Sequence, residues 1–401
     1  MHIYIKRLRT IDIMYIVLLA LVFFPGVITG IYEIYRIMLL LQCIVAAVLV
    51  ADLCLHYRST DIFIVLVLVF YASQFIATAL YNTQYISTGL REILCSLSMI
   101  LCFRRILIYE KYTGLINISR LFTIYIVFNF FQIIFMPYLF SPASTSKSHI
   151  LYFLGIQNQM GQQLIPMCAI VMCISYCKKE KKSIFMIAIL LFTIFSEMKV
   201  GSATGMVAGF VLLIGYFLIP FWDERKFNVG LLTGGYTIVS LILIVFQTVM
   251  TIPVFANFIQ NVLKKDVTFS NRTAIWAQSL LRFQQSPLLG IGRQSGKSVM
   301  TFQAINQYDI STSYSAHNVF LQTIVESGIV GLIPIVILII LTAKRVRIIN
   351  GKYTRVYLIS LSSVLTSFLM EAFDLTFFFI ILAILFYQNY FEKIIIGEGS
   401  I

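Results

Sequence analysis

Long apolar runs separated by brief polar breaks dominate the chain. They fall near 11–30, 34–53, 62–81, 86–106, 118–138, 162–177, 183–198, 203–221, 230–252, 317–341, 356–372 and 375–392. Most approach the roughly 20 residues that carry a helix across a bilayer. In hydrocarbon every backbone polar group needs an internal partner, which favours helices over open sheets. The pattern predicts an all-α, polytopic membrane protein of about twelve transmembrane helices. The runs at 162–177 and 183–198 are short and predict tilted, partial or re-entrant elements. One segment breaks the pattern: 253–316 is long and polar, and it predicts a large extracytoplasmic loop. Residues 1–401 otherwise read as a single membrane domain. The first run lacks a clear small-x-small cleavage site and is followed at once by others, so it predicts an uncleaved signal-anchor.

Composition agrees, with 59% hydrophobic and only 12% charged residues. The formal charge of +13 could suggest a nucleic-acid partner, but its placement argues otherwise. Most of the 30 lysines and arginines fall in alternate connections, among them Lys6, Arg7 and Arg9, Lys178, Lys179, Lys181 and Lys182, and Lys344, Arg345, Arg347, Lys352 and Arg355. Arg36, Arg91, Lys147 and Lys199 stand on the opposite side. The positive-inside rule then puts both termini in the cytoplasm and the 253–316 loop outside, in a multi-pass protein of a bacterial cytoplasmic membrane. The charge is accounted for by topology, and no nucleic-acid partner is expected. All seven cysteines lie in or beside apolar runs, and Cys173 and Cys177 have no histidine or carboxylate beside them, so they read as packing residues.

Loops held by a rigid scaffold are where sites tend to sit, which directs attention to 253–316. Ser270 or Asn271 can cap a helix running to about Gln284, before Pro287 discourages continuation. Arg272 and Trp276, four apart, share a face of it. Gly290-Ile291-Gly292 then forms a turn allowing close backbone approach, followed by Arg293. Tyr314-Ser315-Ala316-His317-Asn318 closes the loop, and Glu326, Gly328 and Gly331 follow inside the next run. The stretch from Gly290 to Ser298 looks like a phosphate-binding loop, but the glycine that pattern needs is replaced by Ile291. The loop's acids are Asp266 and Asp309, and no Asp-x-Asp pair occurs in the chain, so no metal or other cofactor is expected.

The order Arg272, Trp276, Pro287, Gly290, Gly292, His317-Asn318, Glu326, Gly328, Gly331 resembles the O-antigen ligase and Wzy-type polysaccharide polymerase superfamily. Gly155-Ile156-Gln157-Asn158-Gln159-Met160-Gly161 and Gly201-Ser202-Ala203-Thr204-Gly205 resemble it more loosely. The second usually carries Arg or Lys where this chain has Ala203, and Lys199 could stand in for that charge. The resemblance implies a glycosyltransferase acting outside the membrane on undecaprenyl-diphosphate-linked oligosaccharide. The leading expectation is a polymerase joining repeat units into capsule or O-antigen. A ligase moving finished glycan to lipid A-core or protein is the first alternative, and a flippase of lipid-linked sugars is the second. Chain-length regulator and flippase proteins of the same pathway are implied partners, together with the bilayer.

In that scheme Arg272, Arg293 and Arg91 are the candidates for the donor diphosphate, since guanidinium grips phosphate oxygens in a bidentate way. His317 is the candidate catalytic group, because an imidazole accepts a proton near neutral pH. Asn318, Glu326, Trp276, Lys199 and Asn158 are candidate supporting residues. Competing readings are plain: Arg91 could snorkel to the interface, and Trp276 most simply anchors there. Gly328 and Gly331 read as close-packing positions. Nine residues separate His317 from Glu326, about 180° around a regular helix, so they are not expected to pair. Glu326 is expected near Asn318 instead, about 80° away.

Overall fold

The computed structural model describes residues 10–55, 61–142, 145, 150–179, 182–221, 223, 226–250, 272–293, 300–303, 310–313, 315–349, 351–369, 371 and 374–397. Among these, the helices are α1 (Thr10–Val22), α2 (Tyr32–Leu55), α3 (Ile62–Tyr81), α4 (Ile86–Arg105), α5 (Lys111–Phe135), α6 (Gln157–Lys179), α7 (Ile184–Val200), α8 (Ala203–Leu218), α9 (Val229–Met250), α10 (Arg272–Gln285), α11 (Val319–Ile349), α12 (Thr354–Phe368), α13 (Thr376–Phe386) and α14 (Gln388–Gly397). Two short antiparallel hairpins accompany them. One is β1 (Leu151–Tyr152) with β2 (Gly155–Ile156), and the other is β3 (Met300–Gln303) with β4 (Ile310–Ser313).

The fold is therefore all-α and polytopic, as the hydrophobic pattern predicts. Each of the twelve apolar runs overlaps a helix, with α1 and α13 stopping well short of the ends of theirs, and six helices among the described residues are long and apolar enough to cross a membrane. Three further apolar helices are shorter: Ile13–Val22, Val229–Val245 and Thr376–Phe386. One expectation needs correcting. The run at 162–177 is not a partial element, because α6 begins at Gln157, and Met160–Lys178 is long enough to span. Its first turn is rich in glutamine, which hides the helix start from a hydrophobicity reading.

The core is arranged around α13. Its sequence, TFFFIILAILF, is apolar all round, and every residue in it is buried. A helix without a polar face has to sit inside the bundle. It packs against α4, α6, α11 and α12, while α11 lies along α3 and α12 along α8 and α6. Isoleucine, leucine and valine side chains such as Ile37, Leu40, Val245 and Ile333 are exposed on the periphery, as a lipid-facing surface requires.

Residues 287–292 of the polar 253–316 segment are tied into this bundle. α11 breaks at Gly328, whose φ of 60° and ψ of −162° leave the helical region. Chain from the loop supplies the bonds that the break removes. Ile329 and Val330 donate to the carbonyls of Pro287 and Leu288, each at 3.0 Å. Ile291 donates to Val325 O at 2.8 Å and Gly292 to Glu326 O at 3.0 Å. Gly328 is thus a conformational requirement as well as a close-packing position, since a Cβ there would run into Leu288 O. Gly331 packs closely too, against Ser327 and Ser73.

Candidate active site

Three stretches meet at the end of the bundle away from the basic connections. They are the 287–293 turn, the approach to α11, and the short connection between α12 and α13.

The approach to α11 is fixed by its own polar groups. Asn318 caps the helix, accepting from Leu321 N at 3.1 Å, and its amide donates to Leu369 O at 3.0 Å. Ala316 N donates to Gln322 Oε1 at 2.7 Å. Trp276 Nε1 donates to Ala316 O at 2.9 Å, which ties α10 to the residue before His317. Trp276 is 2% exposed, within a small cluster that includes Ile244, Ile291, Leu321 and Val325. It is a buried strut, not an interfacial anchor; four-residue spacing from Arg272 gave its face but not its depth.

Held between these bonds, His317 takes a φ of 47°, the one positive value among the described non-glycine residues. For an L-residue this region costs about 1–3 kcal/mol and persists only where the surroundings impose it. Its Nδ1 lies 3.1 Å from Glu371 Oε2, with the two side chains 26% and 10% exposed. A carboxylate at Nδ1 fixes the ring and favours the tautomer that leaves Nε2 unprotonated. Such a pair can remove a proton from a hydroxyl and hold the charge that results.

Arg293 is locked in place. Its backbone N donates to Thr78 Oγ1 at 2.9 Å, and its guanidinium bonds Asp374 and lies 3.9 Å from Glu92. Asp374 also accepts from Ser96 Oγ at 3.3 Å and from Thr376 N at 2.8 Å, at the start of α13. Burial pushes the Asp374 carboxyl up, but the Arg293 guanidinium and the Thr376 bonds outweigh it and leave the group below the usual carboxylate range. Burial likewise opposes the charge on Arg293, and Asp374, Glu326 and Glu92 together raise its pKa above the ordinary arginine value. Arg293, Asp374 and Glu92 line a cavity of about 450 Å³ shared with the connection of α1 to α2, with α4 and with α6.

Glu326 and His317 do not pair, in keeping with the helical argument. Glu326 does not bond Asn318 either: it accepts from Gln74 Nε2 at 3.0 Å and from Gln322 Nε2 at 2.5 Å. The turn of α11 preceding it and a facing glutamine on α3 offer closer donors. Arg91 is exposed in the second turn of α4, next to Glu92. Lys199 is exposed in the last turn of α7. The side chains of Arg272 and Asn158 lie outside the described residues, although Arg272 begins α10 and Asn158 lies in the first turn of α6.

The two loosely matching segments do come together. Gln157 Nε2 donates to Gly201 O at 3.3 Å, and Gly161 and Gly205 both border the buried Glu197 carboxyl. Among the described residues no group of three or more His, Cys, Asp or Glu could hold a metal ion. Cys173 and Cys177 sit in the core, 3.1 Å from Ser360 Oγ and 3.3 Å from Tyr357 OH.

Sequence reasoning missed Glu371, Asp374 and Glu92 as partners of the site. Glu371 and Asp374 were visible as two carboxylates in a very short connection, within a chain that has only 17 acidic residues. No curated protein matches the chain. Residues 184–336 match the family model described as O-antigen ligase. That stretch holds Arg272, Arg293, His317 and Glu326, while Arg91, Glu371 and Asp374 fall outside it. The match supports placing this chain in the O-antigen ligase and Wzy-type superfamily, with a ligase or polymerase role in polysaccharide assembly.

Proposed function

We propose that this chain is a polysaccharide polymerase, joining undecaprenyl-diphosphate-linked oligosaccharide repeats into capsule or O-antigen on the outer face of the cytoplasmic membrane. In this reading all twelve apolar helices cross the bilayer, both termini are cytoplasmic, and the 253–316 segment is extracytoplasmic. The observation that carries it is the His317–Glu371 pair, a histidine held in strained backbone with its Nδ1 on a carboxylate.

The chemistry is a single displacement. Nε2 of His317 takes the proton of an acceptor sugar hydroxyl, whose oxygen attacks the anomeric carbon of the donor. The bond from that carbon to the polyprenyl diphosphate breaks, and the diphosphate leaves with the electron pair. Glu371 holds the imidazolium that forms. Cationic groups stabilise the charge gathering on the leaving group, and Arg272 at the start of α10 and the exposed Arg91 are suited to that work. Arg293 could join them only by exchanging its carboxylate partners for phosphate oxygens.

The flippase alternative expects helices broken in mid-membrane. α11 does break at Gly328, but residues 287–292 satisfy the backbone groups that the break frees, leaving none of them to bind a passing substrate.

The test is to incubate purified protein with a defined undecaprenyl-diphosphate oligosaccharide and score elongation. Long chains from the wild type, and none from folded His317→Ala or Arg272→Ala variants, are expected. Normal chain lengths from either variant would sink the assignment. In cells, deletion should leave single repeats attached; finished chains stranded on the carrier lipid would make it a ligase.

A further inference from the structure

The cavity of about 450 Å³ beside Arg293 has a composition that suits a particular ligand. Arg293 and Gln163 both line it, and each carries a buried polar atom without a hydrogen-bond partner among the described residues: Arg293 Nη1, a donor, and Gln163 Oε1, an acceptor. Buried polar groups are normally satisfied, so an orphaned donor and an orphaned acceptor on two residues lining one cavity suit a ligand offering both. A sugar hydroxyl or acetamido group does so; a phosphate offers acceptors alone. Gln42 and Ser96 also line the cavity, with the Gln42 amide donating to Val22 O at 2.6 Å and the Ser96 hydroxyl donating to Asp374. Opposite polarity comes from Phe24 and Tyr35, a T-shaped pair with centroids 6.1 Å apart, and from Phe377. Ring surface beside amide and hydroxyl groups suits the apolar C–H faces and polar edges of a pyranose.

Charge decides which sugars. The ionisable residues lining the cavity include two carboxylates, Glu92 and Asp374, and one guanidinium, Arg293, already paired with Asp374. An incoming carboxylate or diphosphate would meet a surplus of negative charge in a partly desolvated space, which costs more than in water. The cavity also adjoins the proposed chemistry. Asp374 stands three residues after Glu371, a span of at most about 11 Å along an extended chain.

We infer that this cavity is the acceptor subsite, selecting neutral or N-acetylamino sugars and rejecting acidic ones. The inference rests on the polymerase reading for the word acceptor, while the selectivity rests on the cavity alone.

The experiment is isothermal titration of the full-length protein in nanodiscs. The probes are a trisaccharide ending in an N-acetylhexosamine and a matched one ending in a uronic acid. The neutral sugar should bind about tenfold more tightly, and Gln163→Leu should weaken its binding about tenfold, by loss of a buried hydrogen bond. Glu92→Gln should strengthen binding of the acidic sugar and narrow the gap, a gain that a damaged fold would not produce. Equal binding of the two sugars, no binding of either, or neutral-sugar binding unchanged in Gln163→Leu would overturn the assignment. Tight binding of farnesyl diphosphate that Gln163→Leu abolishes would also overturn it, by giving the cavity to the donor. Transfer from a lipid-linked donor is scored separately. Selective sugar binding without any transfer would overturn the polymerase reading and leave the cavity's selectivity standing.

Discussion

His317 Nδ1 and Glu371 Oε2 meet at 3.1 Å across 54 residues of chain, one at the entry to α11 and the other just after α12. Because α12 runs between them, the pair forms only when the bundle is assembled. A hydrogen bond to Nδ1 governs which ring nitrogen carries the proton.

Glu371→Gln should therefore lower kcat about 10²-fold with little change in KM, because the amide can still fill the space but no longer favours the productive tautomer and charge. Glu371→Asp should recover part of that loss. Rates with a lipid-linked oligosaccharide, alongside thermal melting to confirm folding, check this. Wild-type kcat in the glutamine variant would remove Glu371 from the mechanism.

Arg293 and Asp374 set a stability that depends on acid. The Asp374 pKa is lowered in the folded protein, so the unfolded state binds the proton more readily. Its contribution is fully present above the unfolded carboxylate value, about 4, and is lost as pH falls through the lower folded value. Melting temperature should thus fall on acidification below about pH 4. Asp374→Asn should be less stable at neutral pH, since it leaves a buried guanidinium without its partner, and should show less of that acid-dependent loss. Parallel pH series of the two melting temperatures decide it.

Much of this architecture can be read in the chain because its elements are long and uniformly apolar. Lipid demands continuous hydrophobic helices, so helix positions follow from the runs themselves. The failures share a cause, which is that pairing across the bundle leaves no local trace. Trp276 looks the same in sequence whether it sits at an interface or under Ala316 O. Gly328 reads as a packing glycine, which it is, but that it also breaks the helix is visible only beside Pro287 and Leu288. The positive-inside rule attends to basic residues, so Glu371 and Asp374, two helices away from the loop, gave no signal through it. Arg293 stood out as a cation, while the carboxylates that hold it lie 81 and about 200 positions away.

Gly290 tests whether the stitched break in α11 is required. Its φ is 74°, and a Cβ there would lie 2.5 Å from the Glu326 carbonyl carbon and 2.6 Å from Ser327 N. Both neighbours are backbone, so the turn would have to leave α11. Gly290→Ala should lose about 2–4 kcal/mol from the positive-φ cost and the displaced bonds. It should also disturb Arg293 three residues on. Lower folded yield and melting temperature are expected, whereas Gly234→Ala, where nothing lies within 4 Å, should be near neutral.

Trp276→Phe separates positioning from packing. The ring volume is largely kept, but the indole donor to Ala316 O is removed, leaving a buried carbonyl unpaired. That costs about 1–3 kcal/mol. The more informative effect is on turnover, because Ala316 precedes the strained His317, and relaxing one bond that imposes φ 47° lets the backbone return toward a common region. kcat should then fall by more than KM changes. Trp276→Tyr, whose hydroxyl retains a donor but not its position, should not restore it. A variant that melts lower yet turns over at the wild-type rate would show that α10 supports the fold without aligning the histidine.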